Sequence, residues 1–284
     1  MSIKVKMSGG LGNQMFQFAA GYSLAKKKKV DLHLDLSWFN RRDIHNGFEL
    51  QNVFNIFEKV DFLKNSISSS KFSIIKLLNK FYTKYEIFDE PHFHYSSEIL
   101  NISDHCFLRG YWQSESYFQE YIDEIKKIFK FNLILKNKNL KLINDISNCK
   151  SVSLHIRRGD FLLKKNVNHL VDLNKYYSIS INEVFKNFEN PKFFIFSDDP
   201  AWVSKNFKIR SNYQIVNFNE GASSFIDMYL MSLCNTNIIA NSSFSWWGAW
   251  LNNNSDKTIF APKIWSNDKE IKTDTLFPNS WNII

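Results

Sequence analysis

The hydrophobic positions of this chain fall into two runs of short strands and helices. Residues 3–7 form a predicted strand, a glycine turn follows, a helix is predicted from Asn13 to Lys28, and residues 30–35 give the next strand. Strand, helix and strand in this order make a β-α-β unit. Residues 40–95 mix aromatic and polar side chains, with a Ser-rich patch at Ser66 to Ser70, a turn at Pro91 and one helix near residues 73–84. Beyond a strand near residues 105–112, Phe118, Tyr121, Ile122, Ile125, Ile128 and Phe129 recur at three- and four-residue spacing. That spacing predicts one buried face of an amphipathic helix, with Ser116 and Gln119 as its capping box.

The second half alternates more regularly. Strands over 151–156, 192–197, 213–218, 237–240 and 257–260 are separated by helices over 174–188, 199–206, 223–236 and 243–253. Strands joined by crossover helices imply a parallel, doubly wound sheet. Such a sheet binds ligands at the carboxyl ends of its strands, which directs attention to the polar residues just after each strand. The polar region Lys136 to Lys150 is the expected boundary, dividing the chain into domains over 1–148 and 149–284, and 284 residues suit two lobes.

Composition adds an anionic partner to this outline. A hydrophobic content of 44% with 27 Phe excludes a disordered chain, and a formal charge of +8 points to nucleic acid, an acidic membrane surface or a phosphorylated small molecule. The run Lys26 to Lys29 reads more simply as the basic end of a helix lying in solvent. Cys106, Cys149 and Cys234 match neither a disulfide framework nor a zinc spacing. The opening MSIKVKMSGG has no signal-peptide pattern and no stretch is apolar enough to span a bilayer, so a soluble cytoplasmic protein is expected.

Four segments carry chemistry. After the strand ending at Ile156 come Arg157, Arg158, Gly159 and Asp160. Strand alternation should send His155 and Arg157 one way and Arg158 the other, so that one guanidinium forks onto a diphosphate while the other pairs with Asp160. Two surface ion pairs are the plainer alternative. After the strand ending at Ala240, Asn241, Ser242, Ser243 and Phe244 open a helix whose first N–H groups can hold an anion; a simple N-cap is the alternative. Asp198 and Asp199 end another strand and could accept hydrogen bonds from a purine or ribose, while one of them caps the helix begun by Pro200. The turn Gly9, Gly10, Leu11, Gly12, Asn13, Gln14 is nearly a dinucleotide fingerprint, which keeps an NAD-dependent oxidoreductase as a rival, although Met15 stands where the third glycine belongs. The loop otherwise offers the amides of Asn13 and Gln14 to sugar hydroxyls. No Asp-x-Asp, HExxH or P-loop pattern occurs, so charge on a leaving group would fall to arginine and helix-end N–H groups.

Taken in order, Gly9 to Gln17, His155 to Asp160, Ser197 to Asp199 and Asn241 to Leu251 resemble the bacterial alpha-1,2-fucosyltransferases of glycosyltransferase family eleven. The resemblance implies an α/β, GT-B-like fold of two Rossmann-like lobes with a cleft between them, the first facing the acceptor and the second binding GDP-fucose. It implies inverting transfer of L-fucose to the 2-hydroxyl of a galactose in a glycan, with GDP-fucose as co-substrate and no metal or other cofactor. It assigns Arg157 to the diphosphate, Arg158 and Asp160 to its support, and His155, Asp198 and Asp199 to the nucleoside. It also assigns Asn241, Ser242, Ser243 and Phe244 to the phosphate side, and Gly10, Gly12, Asn13 and Gln14 to a loop over the fucose, with Arg157 and Asn13 as the catalytic pair. No residue stands out as a general base. A nucleic-acid-binding protein is the non-enzymatic rival, weakened because the aromatics fall on apolar faces. Contact with an anionic membrane is compatible with the enzyme.

Overall fold

Two parallel sheets organise the chain. The computed structural model describes residues 1–41, 46–66, 85–162 and 164–284, and the helix expected near 73–84 lies outside them. The chain divides into one unit over Met1–Lys130 and a second over Phe131–Ile284. The division falls ahead of the expected boundary at 148/149 because the polar stretch there is the helix Asn137–Ser147, which lays Leu142 and Ile146 against Phe194, Phe196 and Leu230 of the second unit.

In the first unit the strands are β1 (Ser2–Lys6), β2 (Asp31–Asp35), β3 (Leu63–Ser66), β4 (Glu86–Asp89) and β5 (His105–Arg109), in the order β3-β2-β1-β5-β4. Every pairing is parallel. The helix Leu11–Lys28 crosses β1 at Gly21, where a Cβ would stand 2.3 Å from Val5 Cγ2. The close helix-to-strand approach that a dinucleotide fingerprint places at its third glycine is thus made later along the helix, and Met15 is simply core. The helix ends at Lys29, whose left-handed backbone (φ 57°) returns its N–H to the Ala25 and Lys26 carbonyls. Its lysines lie at the surface, where Lys26 pairs with Glu124 and Lys27 with Glu120 at 2.8 Å, and Lys27 and Lys29 stay exposed. Phe118 breaks the expected amphipathic helix into two short 3₁₀ turns followed by the helix Ile122–Ile128, and the residue that caps the first turn is Ser114 rather than Ser116.

The second unit holds β6 (Ser151–Ile156), β7 (Lys192–Ser197), β8 (Tyr213–Val216), β9 (Thr236–Ile238), β10 (Thr258–Ala261) and β11 (Asn282–Ile283), in the parallel order β11-β10-β9-β6-β7-β8. β6 is buried along its whole length. Apolar side chains cover one face with Tyr176, Tyr177 and Val184, and the other with Phe194, Phe196 and Met231. Runs this continuously apolar belong to strands covered on both faces. Among the described residues no helix is long and apolar enough to cross a membrane.

Among the described residues of the second unit, Asp227 is a partly buried acid with a strongly shifted carboxyl. Asp227, on the helix Phe225–Ser232, accepts a 2.7 Å bond from the Asn219 amide, which in turn exchanges bonds with Asn139. Burial lifts its carboxyl from the ordinary 3.8 to about 7, outweighing that hydrogen bond. Because the folded chain holds this proton more tightly than the unfolded one, the stability it contributes is full below about pH 4 and lost as pH rises through about 7. The Asp227→Asn variant lacks this dependence. Thermal unfolding of both proteins across that range should therefore show the wild type losing stability relative to the variant as pH rises, and a constant difference would contradict the assignment.

Candidate functional site

The second sheet reverses its winding once, at β6, while the first runs from β1 out to β3 and then has β4 at the opposite edge with β5 between it and β1. The sequence motifs gather beside β6 and β1. In the second unit the chain runs from β6 outward to β7 and β8, then returns to β9 on the other side of β6 and continues outward. Crevices at such switch points, beyond the carboxyl ends of the strands, are where open α/β sheets bind ligands. The loop after β6 supplies Arg157 to Asp160 there, and the loop after β9 supplies Asn241 to Phe244. The ring of His155 lies 6.0 Å from that of Phe244, so segments distant in sequence meet.

The two aspartates after β7 hold the two arginines. Asp198 accepts Arg157 Nη1 at 3.1 Å through one oxygen and the Arg158 backbone N–H at 2.9 Å through the other. Gly159 makes room for this: a Cβ there would lie 2.5 Å from Asp198 Oδ2. Asp199 caps the helix Pro200–Asn206 by accepting the Trp202 N–H at 3.0 Å, and stands 3.6 Å from Arg158 Nε. The Arg158 guanidinium lies over the Trp202 ring at 3.8 Å, while Arg157 is 5.7 Å from Phe161. Each arginine thus faces a different aspartate, Arg157 with Asp198 and Arg158 with Asp199. The side chain of Asp160 lies outside the described residues.

His155 is buried, and burial followed by the Arg157 charge holds its imidazole well below the usual histidine range. It is neutral at physiological pH, and its carbonyl accepts the Tyr177 hydroxyl at 2.9 Å. Asn241 is buried and its amide donates to the carbonyls of His169 and Trp265, at 2.8 and 2.9 Å. Through these bonds it braces the loop from within. Ser242 occupies the N-cap position of the helix Ser243–Trp250 without a capping bond from its hydroxyl. The helix is anchored by its indoles: Trp246 and Trp247 are fully buried and Trp246 Nε1 donates to the Leu276 carbonyl. No group of three or more His, Cys, Asp or Glu among the described residues could hold a metal ion.

In the first unit the switch point lies between β1 and β5. Gly9 (φ 74°) turns the chain after β1 and Gly10 precedes the helix. Gln14 is fully buried, donating to the Gly9 and Gly47 carbonyls at 2.9 and 2.8 Å and accepting the Glu49 N–H at 2.9 Å. Both ends of its amide are engaged inside the protein. Gln17 stitches the same turn, accepting the Ser8 N–H and donating to Ser8 Oγ and the Gly110 carbonyl. Asn13 Oδ1 accepts Gln113 Nε2 at 2.8 Å. Gln113 was not legible as a site residue, since the segment around it shows no period; only the strand order places it beside Asn13.

By backbone shape the chain is similar to the NodZ alpha-1,6-fucosyltransferase of Bradyrhizobium, solved with GDP-fucose soaked in. The TM-score is 0.52 at 15% identity, covering 88% of this chain and 92% of that one. The fold is GT-B-like, two α/β lobes each built on a parallel sheet. The chain belongs to glycosyl transferase family 11, which it matches over residues 2–284. It is 37% identical to an alpha-1,2-colitosyltransferase of Escherichia coli, over 99% of this chain and 98% of that protein. It is 36% identical to the O-antigen biosynthesis glycosyltransferase WbnK of the same species, over 91% and 93%. The protein is accordingly a glycosyltransferase, and the oxidoreductase and nucleic-acid readings fall.

The hydrogen bonds of Gln14 make it a structural residue with a measurable signature. Gln14→Leu strands the Gly9 and Gly47 carbonyls and the Glu49 N–H, each orphaned group costing about 1–3 kcal/mol. Denaturant unfolding of this variant should show a loss of several kcal/mol. A stability equal to wild type would return Gln14 to the list of substrate contacts.

Proposed function

We propose that the protein transfers L-fucose from GDP-β-L-fucose to the 2-hydroxyl of a galactose residue in a glycan, with inversion at the anomeric carbon. The observation that carries this reading is the meeting of Arg157, Arg158 and the Ser243–Trp250 helix start at the switch point of β6 and β9. An anchored guanidinium beside helix N–H groups suits a diphosphate, and the first unit presents amides, Asn13 and Gln113, suited to neutral hydroxyls. The alpha-1,2 linkage is in the name of the E. coli relative, and a protein of this fold named as a fucosyltransferase was soaked with GDP-fucose.

The acceptor oxygen attacks C1 of the fucose from the face opposite GDP. A C–O bond forms, the C1–O bond to the β-phosphate breaks, and its electron pair leaves with GDP. The acceptor proton passes to solvent, and no side chain is assigned as base. Arg157, kept in orientation by Asp198, neutralises the charge that grows on the departing phosphate together with the helix N–H groups of Ser243 and Phe244. Arg158, seated on Trp202, supports this arrangement with Asp199, and neutral His155 adds no competing cation beside Arg157. On this account Asp198 and Asp199 act on the nucleotide through the arginines. The first unit takes the acceptor and the transferred sugar, and the second takes the nucleotide.

A second donor is favoured by a specific observation: the relative at 37% identity is named for colitose, which is fucose without its 3-hydroxyl. Assay of GDP-fucose and GDP-colitose side by side, with a β-galactoside acceptor, tests the choice; fucosyl transfer at the higher kcat/KM is the expected result, and transfer of colitose alone would replace the donor named here. Arginine and helix N–H groups stand where a cation would otherwise act, so activity is expected to survive excess EDTA, and complete loss restored by manganese would refute that.

Arg157→Ala should reduce kcat by at least about a hundredfold, since loss of one preorganised donor from a developing charge costs roughly 2.7–4 kcal/mol. Arg157→Lys should recover little of it, because a point charge does not reproduce the fork. A folded Arg157→Ala protein with wild-type turnover would move the diphosphate elsewhere.

A further inference from the structure

The segment after β5 is shaped at some cost to deliver one side chain. Glu90, just past β4, accepts the backbone N–H groups of Tyr111 at 2.6 Å and Trp112 at 2.9 Å. Gly110 admits this carboxylate, for a Cβ there would lie 2.4 Å from Glu90 Cβ. Trp112 then adopts φ 59°, a left-handed backbone that a bulky side chain takes only where its surroundings impose it. Its ring is fully buried, stacked 6.0 Å from Phe88 and edge-on to Tyr117 at 5.4 Å. Strain of this kind concentrates at functional sites.

The residue presented next is Gln113, 6% exposed. Its Nε2 donates across the switch point to Asn13 Oδ1, yet its Oε1 is buried with no hydrogen-bond partner. A buried amide oxygen without a donor is costly, and so calls for a ligand that supplies one. Gly9 leaves room for the Asn13 side of this pair, since a Cβ there would stand 2.7 Å from Asn13 Nδ2. A carbonyl oxygen offers nothing to phosphate, whose oxygens are themselves acceptors, so the diphosphate is not its partner.

We propose that Gln113 is a specificity-determining residue whose Oε1 accepts a hydrogen bond from a pyranose hydroxyl of the sugar substrates, while its Nε2 holds the Asn13 amide in one orientation. This rests on the glycosyl-transfer reading above. The hydroxyl belongs either to the transferred sugar or to the acceptor sugar, and the test separates the two.

The test compares wild type with Gln113→Leu, which removes both the acceptor oxygen and the Nε2 donor to Asn13, and with Gln113→Asn, which withdraws the amide by one methylene and keeps the fold if leucine does not. Both should bind GDP as wild type does and unfold within about 3 °C of it, because relief of the buried, unpartnered oxygen offsets the lost bond to Asn13 Oδ1. Their kcat/KM for transfer should fall at least about tenfold, the scale of losing one substrate hydroxyl contact. Donor hydrolysis without acceptor falls in parallel if the hydroxyl is on the transferred sugar, whereas only the acceptor KM rises if it is on the acceptor. Saturation-transfer NMR with free L-fucose and with methyl β-galactoside, GDP present, gives a readout independent of turnover: the signal of one sugar should be seen with wild type and lost in both variants. If wild type contacts a sugar but transfers no fucose, the donor reading fails and this inference stands or falls on the NMR alone. Variants that bind both sugars and turn over like wild type would overturn it. So would a wild type that contacts neither sugar, or loss of GDP binding and thermal stability together in both variants.

Discussion

The parallel pairing of β6 with β7 on one side and β9 on the other is the constraint on which the second unit depends. Parallel strands end at the same edge, so three loops far apart in sequence are delivered together: the arginines after β6, the aspartates after β7 and the helix start after β9. The pairing is fixed by burial. A strand as wholly buried as β6 cannot reach an edge without exposing Val152, Leu154 and Ile156, and buried Asn237, donating to Ser153 at 2.7 Å and to the Met231 carbonyl at 2.7 Å, ties β9 to it in one register. The charged residues can then be few, because each is oriented by a neighbour rather than by solvent.

Paired charges serve preorganisation more than stability at this place. Arg157 and Asp198 are each about a quarter exposed, a setting in which an ion pair contributes little to folding. What the pair provides is direction. Asp198 fixes Arg157 through one oxygen and the Arg158 backbone through the other, and Gly159 leaves the space that lets it do both. The same logic recurs in the first unit, where Glu90, its carboxyl lifted by burial to about 7 against the pull of two backbone N–H bonds, shapes the turn that presents Gln113.

Hydrophobic pattern made β6 to β10 legible to within a residue or two, since β6 alternates apolar positions and β7 is a short apolar run, but it missed the two-residue β11. It failed at the helix Asn137–Ser147, whose apolar positions are few and whose lysines and asparagines read as a linker. It also missed β3 and β4, both edge strands with sparse apolar residues. Motif chemistry located the arginines, yet it could not tell a buried brace from a ligand contact. Gln14 and Asn13 are neighbours in the same motif, but one amide is fully spent on backbone partners inside the protein, while the other meets Gln113 across the crevice. That difference depends on partners at residues 47, 49 and 113, which local sequence does not specify.

The central claim is a division of labour, with the nucleotide at the β6–β9 switch point and the sugar at the β1–β5 switch point. Calorimetric titration of GDP into Arg157→Ala and Asn13→Ala proteins, with fucosyl transfer measured on the same preparations, tests it most directly. The account predicts that Arg157→Ala loses GDP affinity, while Asn13→Ala keeps it and loses transfer. Equal loss of GDP affinity in both variants, or loss in Asn13→Ala alone, would contradict it.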